Sequence, residues 1–300
     1  MSRHAKIGQR LVTAVPALWL LLFFALPFLI VFKISFSWMQ PIQPGYAPLL
    51  EWVEASGRLV ASLNFSNYAS VLSDPLYLRT FLYSLEVAAV STVLCLLLGY
   101  PMAYAIARAR PSTRNLLLML IILPFWTSFL LRVYAWIGLL KSNGVINNAL
   151  LALGVIDQPL TLLYTDFAVY VGIVYSYLPF MILPLYANLE KHDLTLLEAA
   201  ADLGASPFTA FRRITLPLSM PGIVAGCLLV FIPAVGEFVI PSLLGRTDQL
   251  MIGTVLSAQF FGARNWPVAS AVAIVLLLAL LLPILLFQRY QQRELEAARR

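Results

Sequence analysis

The chain has 300 residues, of which 61% are hydrophobic and 11% charged, with a formal charge of +6 and a mean hydropathy of +0.85. Soluble domains average roughly 45–50% apolar and about 25% charged residues, so this composition excludes a soluble globular protein and points to an integral membrane protein. The basic residues stand at the ends of apolar runs rather than along one stripe, which argues against nucleic-acid binding.

In chain order, Arg3, Lys6 and Arg10 precede the apolar run 11–31. A signal-peptide core has about 7–15 residues, whereas this run is long enough to cross a hydrocarbon layer of ~30 Å, so an uncleaved first span is expected. Residues 35–78 are rich in Pro, Gly, Ser and Asn and predict a large extramembrane loop with a short helix at 49–55. Further spans are expected at 80–107, 115–139, 167–188, 222–239 and 268–287, giving an all-α chain of six transmembrane helices in a single domain, 1–300. Short interfacial helices are predicted at 145–153 and 251–261. Asn265, Trp266 and Pro267 would open the last span as cap, interfacial aromatic and N1 proline. Cys95 and Cys227 both fall inside apolar runs, where a thiol behaves as a small hydrophobe.

Orientation follows from Lys and Arg. With the N-terminus in the cytoplasm, thirteen of the twenty fall inside: Arg3, Lys6, Arg10, Arg108, Arg110, Arg114, Lys191, Arg212, Arg213, Arg289, Arg293, Arg299 and Arg300. This bias predicts that both termini and the 190–217 loop are cytoplasmic and that the 35–78 loop is on the outer side.

Residues 198–217, EAAADLGASPFTAFRRITLP, interrupt the apolar pattern with small and polar residues. Glu198 to Leu203 are good helix formers, and Gly204 is the residue able to turn at positive φ behind a helix end. Ser206 offers an N-cap oxygen and Pro207 suits the first helical position, so a second helix is predicted from Pro207 to Arg213, stopping ahead of Pro217. The alanines at 199, 200, 201, 205 and 210 leave little bulk, and Phe208 and Phe211 stand as apolar pegs. The bent unit has the shape of a docking element.

Within that loop, Glu198-Ala199-Ala200, then Gly204, then Ile214, Leu216 and Pro217 resemble the cytoplasmic EAA loop of permease subunits in bacterial ABC importers. In that family the loop's short helix is the coupling helix, received by a groove in the ATPase. The resemblance implies ATPase coupling by Glu198, Ala199, Ala200, Gly204, Ala205, Ser206, Pro207, Phe208, Phe211, Ile214, Leu216 and Pro217. Four further stretches, at 122–136, 144–148, 236–241 and 266–271, resemble the putrescine and spermidine importer permeases, most of all the putrescine type. The implied fold is the six-helix type I importer permease of the bacterial inner membrane. The implied partners are a second homologous permease, two cytoplasmic ATP-binding subunits that hold ATP and Mg, and a periplasmic polyamine-binding protein. The implied mechanism is alternating access, with a polyamine-transporting ATPase as the assembled complex.

Charges inside spans are costly and usually face a cavity or a partner. At 1.5 Å per residue, Glu86 lies about 10 Å below the outer start of its span and Glu237 about 6 Å below the outer end of its own. In one reading these glutamates draw in a cationic substrate, helped by Trp126, Tyr134, Tyr175, Tyr177 and Phe238 through cation–π contacts. In the other, Arg132 pairs with a glutamate to hold helices together and the aromatics form the interfacial belt. Pro124, Pro179, Pro184, Pro233 and Pro241 predict kinks around a central path.

Other chemistry lacks its residues. A phosphate-binding P-loop needs Gly before Lys, yet the four lysines follow Ala5, Phe32, Leu140 and Glu190, so the chain is expected to have no ATPase site of its own. His4, His192 and two separate cysteines do not form a metal set, and no nucleophile has a His at hand, so no catalytic or metal site and no cofactor in this chain are expected. Import of another small cation, an organic anion or iron stays open beside polyamines, because related permeases share these segments. A secondary transporter or a non-transporting membrane scaffold would leave the EAA loop without a purpose.

Overall fold

The structure is a computed structural model that describes residues 3–53 and 58–297. Apolar runs are helical in it, as lipid requires when backbone N–H and C=O groups have to be satisfied within their own segment. The chain begins with α1 (Arg3–Leu20), a π turn (Leu21–Ala25) and α2 (Leu26–Ser35), then strands β1 (Leu50–Val53) and β2 (Arg58–Ala61). Next come α3 (Ser66–Ser73), α4 (Pro75–Arg108), α5 (Pro111–Ile122), a 3-10 turn (Leu123–Trp126), α6 (Phe129–Leu140), α7 (Val145–Ala152) and α8 (Asp166–Leu189). The remainder is α9 (Thr195–Asp202), α10 (Pro207–Ala210), a π turn (Phe211–Thr215), α11 (Leu216–Val235), α12 (Val239–Leu244), α13 (Ile252–Ser257), a π turn (Ala258–Gly262) and α14 (Trp266–Ala297).

Among the described residues, four helices are long and apolar enough to cross a membrane: Val12–Ser35, Pro75–Arg108, Asp166–Leu189 and Pro207–Val235. A fifth is added if Pro111–Trp126 and Phe129–Ala152 count as one span, although these two arms meet at 92°. Trp266–Leu281 is a shorter apolar helix.

Four local expectations are corrected. The span predicted over 115–139 is broken: Leu123–Trp126 tightens to 3-10 geometry at Pro124, Thr127 is extended, and its Oγ1 donates to the Pro124 carbonyl at 2.8 Å. The helix predicted at 49–55 is instead strand at 50–53, where Trp52 and Val53 pair antiparallel with Leu59 and Arg58; residues 54 and 55 lie outside the described residues. This hairpin departs from the all-helical expectation. Pro217 does not stop the helix begun at Pro207. The π turn before it bonds the Leu216 N–H to the Phe211 carbonyl, and Pro217, with no N–H to place, follows where the ladder returns to α register. Asn265 caps α14 by accepting from the Val268 N–H at 3.3 Å, which puts Pro267 at the second helical position rather than the first.

The chain divides into two compact units, Met1–Leu78 with Leu256–Leu280, and Arg79–Val255 with Leu281–Arg300. In the first, Asn67 ties the loop back to the end of α2 by donating to the Ser35 and Ser37 carbonyls, each at 2.9 Å, while Ser35 Oγ meets Tyr68 Oη at 2.7 Å. In the second, α8 packs on α11 around Met181, Ile182, Leu185, Ile223 and Val230, with Cys95 and Ile106 of α4 in the same core. Gly222 and Gly226 make this approach possible. A Cβ on either would stand 2.7 Å from α8 atoms, of Asn188 and Met181 respectively. Small residues four apart on one face let two helix backbones close in where lipid supplies no hydrophobic drive between helices.

Candidate functional site

The polar loop after α8 folds as a bent helical pair. Asp193 Oδ1 accepts from the Thr195 N–H at 3.0 Å as α9 begins. At the other end Gly204 takes φ +79°, the Ala205 N–H bonds Ala200 O at 2.9 Å and the Gly204 N–H bonds Ala201 O at 2.8 Å. These are the crossed bonds of a Schellman ending, available here because Gly has no Cβ to strain. Ser206 then caps α10 by accepting from the Thr209 N–H at 3.3 Å, with Pro207 at N1.

The two phenylalanines part company. Phe208 is 72% exposed, whereas Phe211 is half-buried with its ring edge-on to Tyr100 at 5.7 Å, and the Tyr100 hydroxyl meets Ser219 Oγ at 3.0 Å. Of the two apolar pegs, Phe208 therefore points outward and Phe211 packs inward. Leu203 at the bend is 89% exposed and was missed in the sequence; its signal was an apolar residue between Asp202 and the turning Gly204. Glu198, Ala199, Gly204, Ser206, Pro207 and Pro217 are exposed, and Ala200, Ala205, Ile214 and Leu216 are half-buried. The loop is also tied at its root, where Arg114 of α5 pairs with Glu190 at 2.5 Å and donates to the Ala107 and Ala109 carbonyls at 3.4 Å each.

A cavity of about 470 Å³ lies where α11 breaks before α12, lined by Phe125, Phe129, Arg132, Tyr177, Phe180 and Glu237 together with Ser176, Phe238 and neighbouring backbone. Glu237 is buried in the break. Its Oε2 accepts from the Tyr177 hydroxyl at 2.5 Å, and its Oε1 accepts from the N–H groups of Phe238, Val239 and Ile240 at 3.1, 3.0 and 3.4 Å. The side chain thus caps the first turn of α12, whose leading N–H groups have no partner within the helix. Gly253 packs on the same break: a Cβ there would press into the carbonyl oxygens of Gly236 and Glu237.

Arg132 departs from the reading that paired it with a glutamate. Among the described residues the ion pairs are Arg114–Glu190 and Arg246–Asp248, so Arg132 pairs with neither Glu86 nor Glu237. Its guanidinium lies over the rings of Phe125 at 5.4 Å and Phe129 at 5.7 Å, and its Nε is buried with no hydrogen-bond partner. Of the residues expected to line a path, the cavity brings together Tyr177, Glu237 and Phe238. Tyr175 lines a separate apolar hollow with Pro124 and Pro179, while Glu86, Trp126 and Tyr134 are exposed and line neither. Phe125, Phe129 and Phe180 were missed; for the first two the signal was the aromatic spacing on both sides of the Thr127-Ser128 break, with Arg132 three residues after Phe129, whereas Phe180 on α8 carried none.

Residues 95–296 match the family described as binding-protein-dependent transport system inner membrane component, a stretch that contains both the loop and the cavity. The chain belongs to this family. It is thus an inner-membrane permease component, and its relatives agree over most of their length. It is 40% identical over 287 residues to the spermidine/putrescine transport system permease protein PotB of Haemophilus influenzae, covering 96% of this chain and 94% of that protein. It is 44% identical over 272 residues to the protein of the same name from Escherichia coli, covering 90% and 93%. A more distant relative, the molybdenum transport system permease protein ModB of Mycobacterium bovis, is 31% identical over 72% of this chain and 80% of its own. In fold the permease is similar to a chain of a bacterial ABC transporter involved in the import of alginate, with TM-score 0.65 at 19% identity over 97% of this chain and 99% of that one.

Proposed function

We propose that this permease is a membrane subunit of an ATP-driven importer of polyamines, putrescine and spermidine. The observation that carries the reading is the 40–45% identity, over 90–96% of the chain, to spermidine/putrescine permeases. It has six spans in one domain with both termini in the cytoplasm, the broken α5–α6 pair counting as one span and α14 as the last. The Lys and Arg distribution supports this orientation. Loop 198–217 then faces the cytoplasm, where Leu203 and Phe208 offer apolar contacts to an ATPase groove. A second homologous permease completes the path, two ATP-binding subunits hold ATP and Mg, and a periplasmic binding protein delivers the polyamine to the outer loops. Closure of the ATPases on ATP pushes the bent helices, and the rigid run from Pro207 into α11 carries that motion to the break at Glu237.

One observation favours a second reading, import of an organic anion: the charge without a carboxylate partner at the cavity is Arg132. Uptake separates the two. In cells lacking other polyamine importers, labelled putrescine and spermidine are expected to enter only when this chain accompanies its partners. Equal uptake with and without it, in cells shown to assemble the complex, contradicts the polyamine reading.

A further inference from the structure

Arg132 has an unusual set of neighbours for a charge within a membrane segment. Among the described residues no carboxylate lies within ion-pair distance, its Nε has no hydrogen-bond partner, and two aromatic faces hold its guanidinium. Those faces belong to different arms of a bend. Phe125 lies in the 3-10 turn before the extended Thr127, Phe129 opens α6 after it, and the arms meet at 92°. The Phe125 ring is edge-on to Phe180 at 5.3 Å, and Phe180 lies beside Tyr177 at 6.1 Å, so the aromatic wall continues around the cavity. Glu237, the carboxyl group at this cavity, has both oxygens engaged by the Tyr177 hydroxyl and three backbone N–H groups.

The quadrupole of an aromatic face attracts any cation, guanidinium or ammonium. We infer that Phe125 and Phe129 form a cation-receiving box whose resting occupant is Arg132, a tethered stand-in that an ammonium group of the substrate replaces during transport. The inference rests on the polyamine reading and deepens it. While Arg132 sits in the box, the cavity presents a positive charge and bars cations. A change of angle between the two arms separates Phe125 from Phe129, frees Arg132 and exposes the rings. Recognition in the path is then aromatic, and Glu237 is a positioning residue that holds the wall through Tyr177.

The test uses the complete transporter in vesicles loaded with labelled putrescine or with succinate, a dianion with the same number of carbons, and reads efflux without ATP. Arg132→Met and Phe125→Leu are each expected to raise putrescine efflux by roughly threefold to thirtyfold, the worth of cation–π contacts of this kind. Arg132→Lys keeps a cation in the box and is expected to stay near wild type, and succinate efflux is expected to be unchanged in all variants. Co-purification of the subunits is checked first, and Phe125→Leu carries the decision where Arg132→Met fails to assemble. Tight vesicles with Arg132→Met overturn the inference. So does a leak with Arg132→Met alone, which would make Arg132 a simple charge barrier, and so does a parallel rise in succinate, which would mean a general fracture of the path. ATP-dependent uptake by wild type in the same vesicles tests the parent reading: its absence for putrescine and spermidine overturns both.

Discussion

Glu237 illustrates how position decides what a buried carboxyl group does. Its depth in a span suggested either attraction of a cationic substrate or an ion pair with Arg132. Folded, it is spent on the break between α11 and α12, where it satisfies backbone donors that the short helix leaves unpaired and accepts from Tyr177. An amide can keep the acceptor for the backbone, whereas a methyl group leaves those donors and the tyrosine hydroxyl without a partner. Glu237→Gln is therefore expected to lower stability by about 1 kcal/mol and Glu237→Ala by about 2–3 kcal/mol, read from thermal unfolding of the purified protein. Equal stability of Glu237→Ala and wild type contradicts the capping role. Sequence alone placed Glu237 at functional depth but could not reveal its partners, because Tyr177 lies sixty residues away on α8.

Among the elements, the bent pair α9–α10 was the most legible. Each of its signals is local: a glycine free to turn, a serine that caps, a proline that tolerates a first helical position, all within the four residues from Gly204 to Pro207. What failed nearby was the reading of Pro217 as a stop, since a π turn inserted by the preceding residues absorbs the missing N–H. The break within 115–139 escaped notice for a related reason. Pro124 marked a kink, but the extended Thr127 and its hydroxyl bond back to the Pro124 carbonyl, which turn the kink into a break, have no distinct signature in the sequence. Gly204 offers a clean test of the loop. A Cβ there meets nothing within 4 Å in the chain itself, so a side chain would project into open space, and Asp bears a left-handed backbone at a cost of roughly 1–2 kcal/mol. Gly204→Asp is expected to reach the membrane at wild-type level and to abolish uptake, because its bulk and charge meet the docked ATPase. Normal uptake by this variant, with membrane level confirmed by immunoblot, contradicts a docking role for the bend.

Taken whole, the permease links two features of Arg79–Val255 with Leu281–Arg300: an exposed helical bend and an aromatic cavity at a helix break. The helix Pro207–Val235 runs between them, starting at the bend and ending at the break, so one continuous helical run joins the loop to the cavity. α11 packs closely on α8 at Gly222 and Gly226, and Arg114–Glu190 ties the loop's root to α5. Membrane character, helical class and the bent helical pair at 195–210 were readable from composition and local signals, whereas the cavity depends on contacts between residues far apart in sequence. The most direct measurement of the central claim is accumulation of labelled putrescine in vesicles bearing the purified complex, supplied with loaded binding protein and with ATP. Accumulation that needs ATP, the binding protein and this chain together is the predicted result. Accumulation driven by an ion gradient without the ATPase subunits, or none by a fully assembled complex, would contradict it.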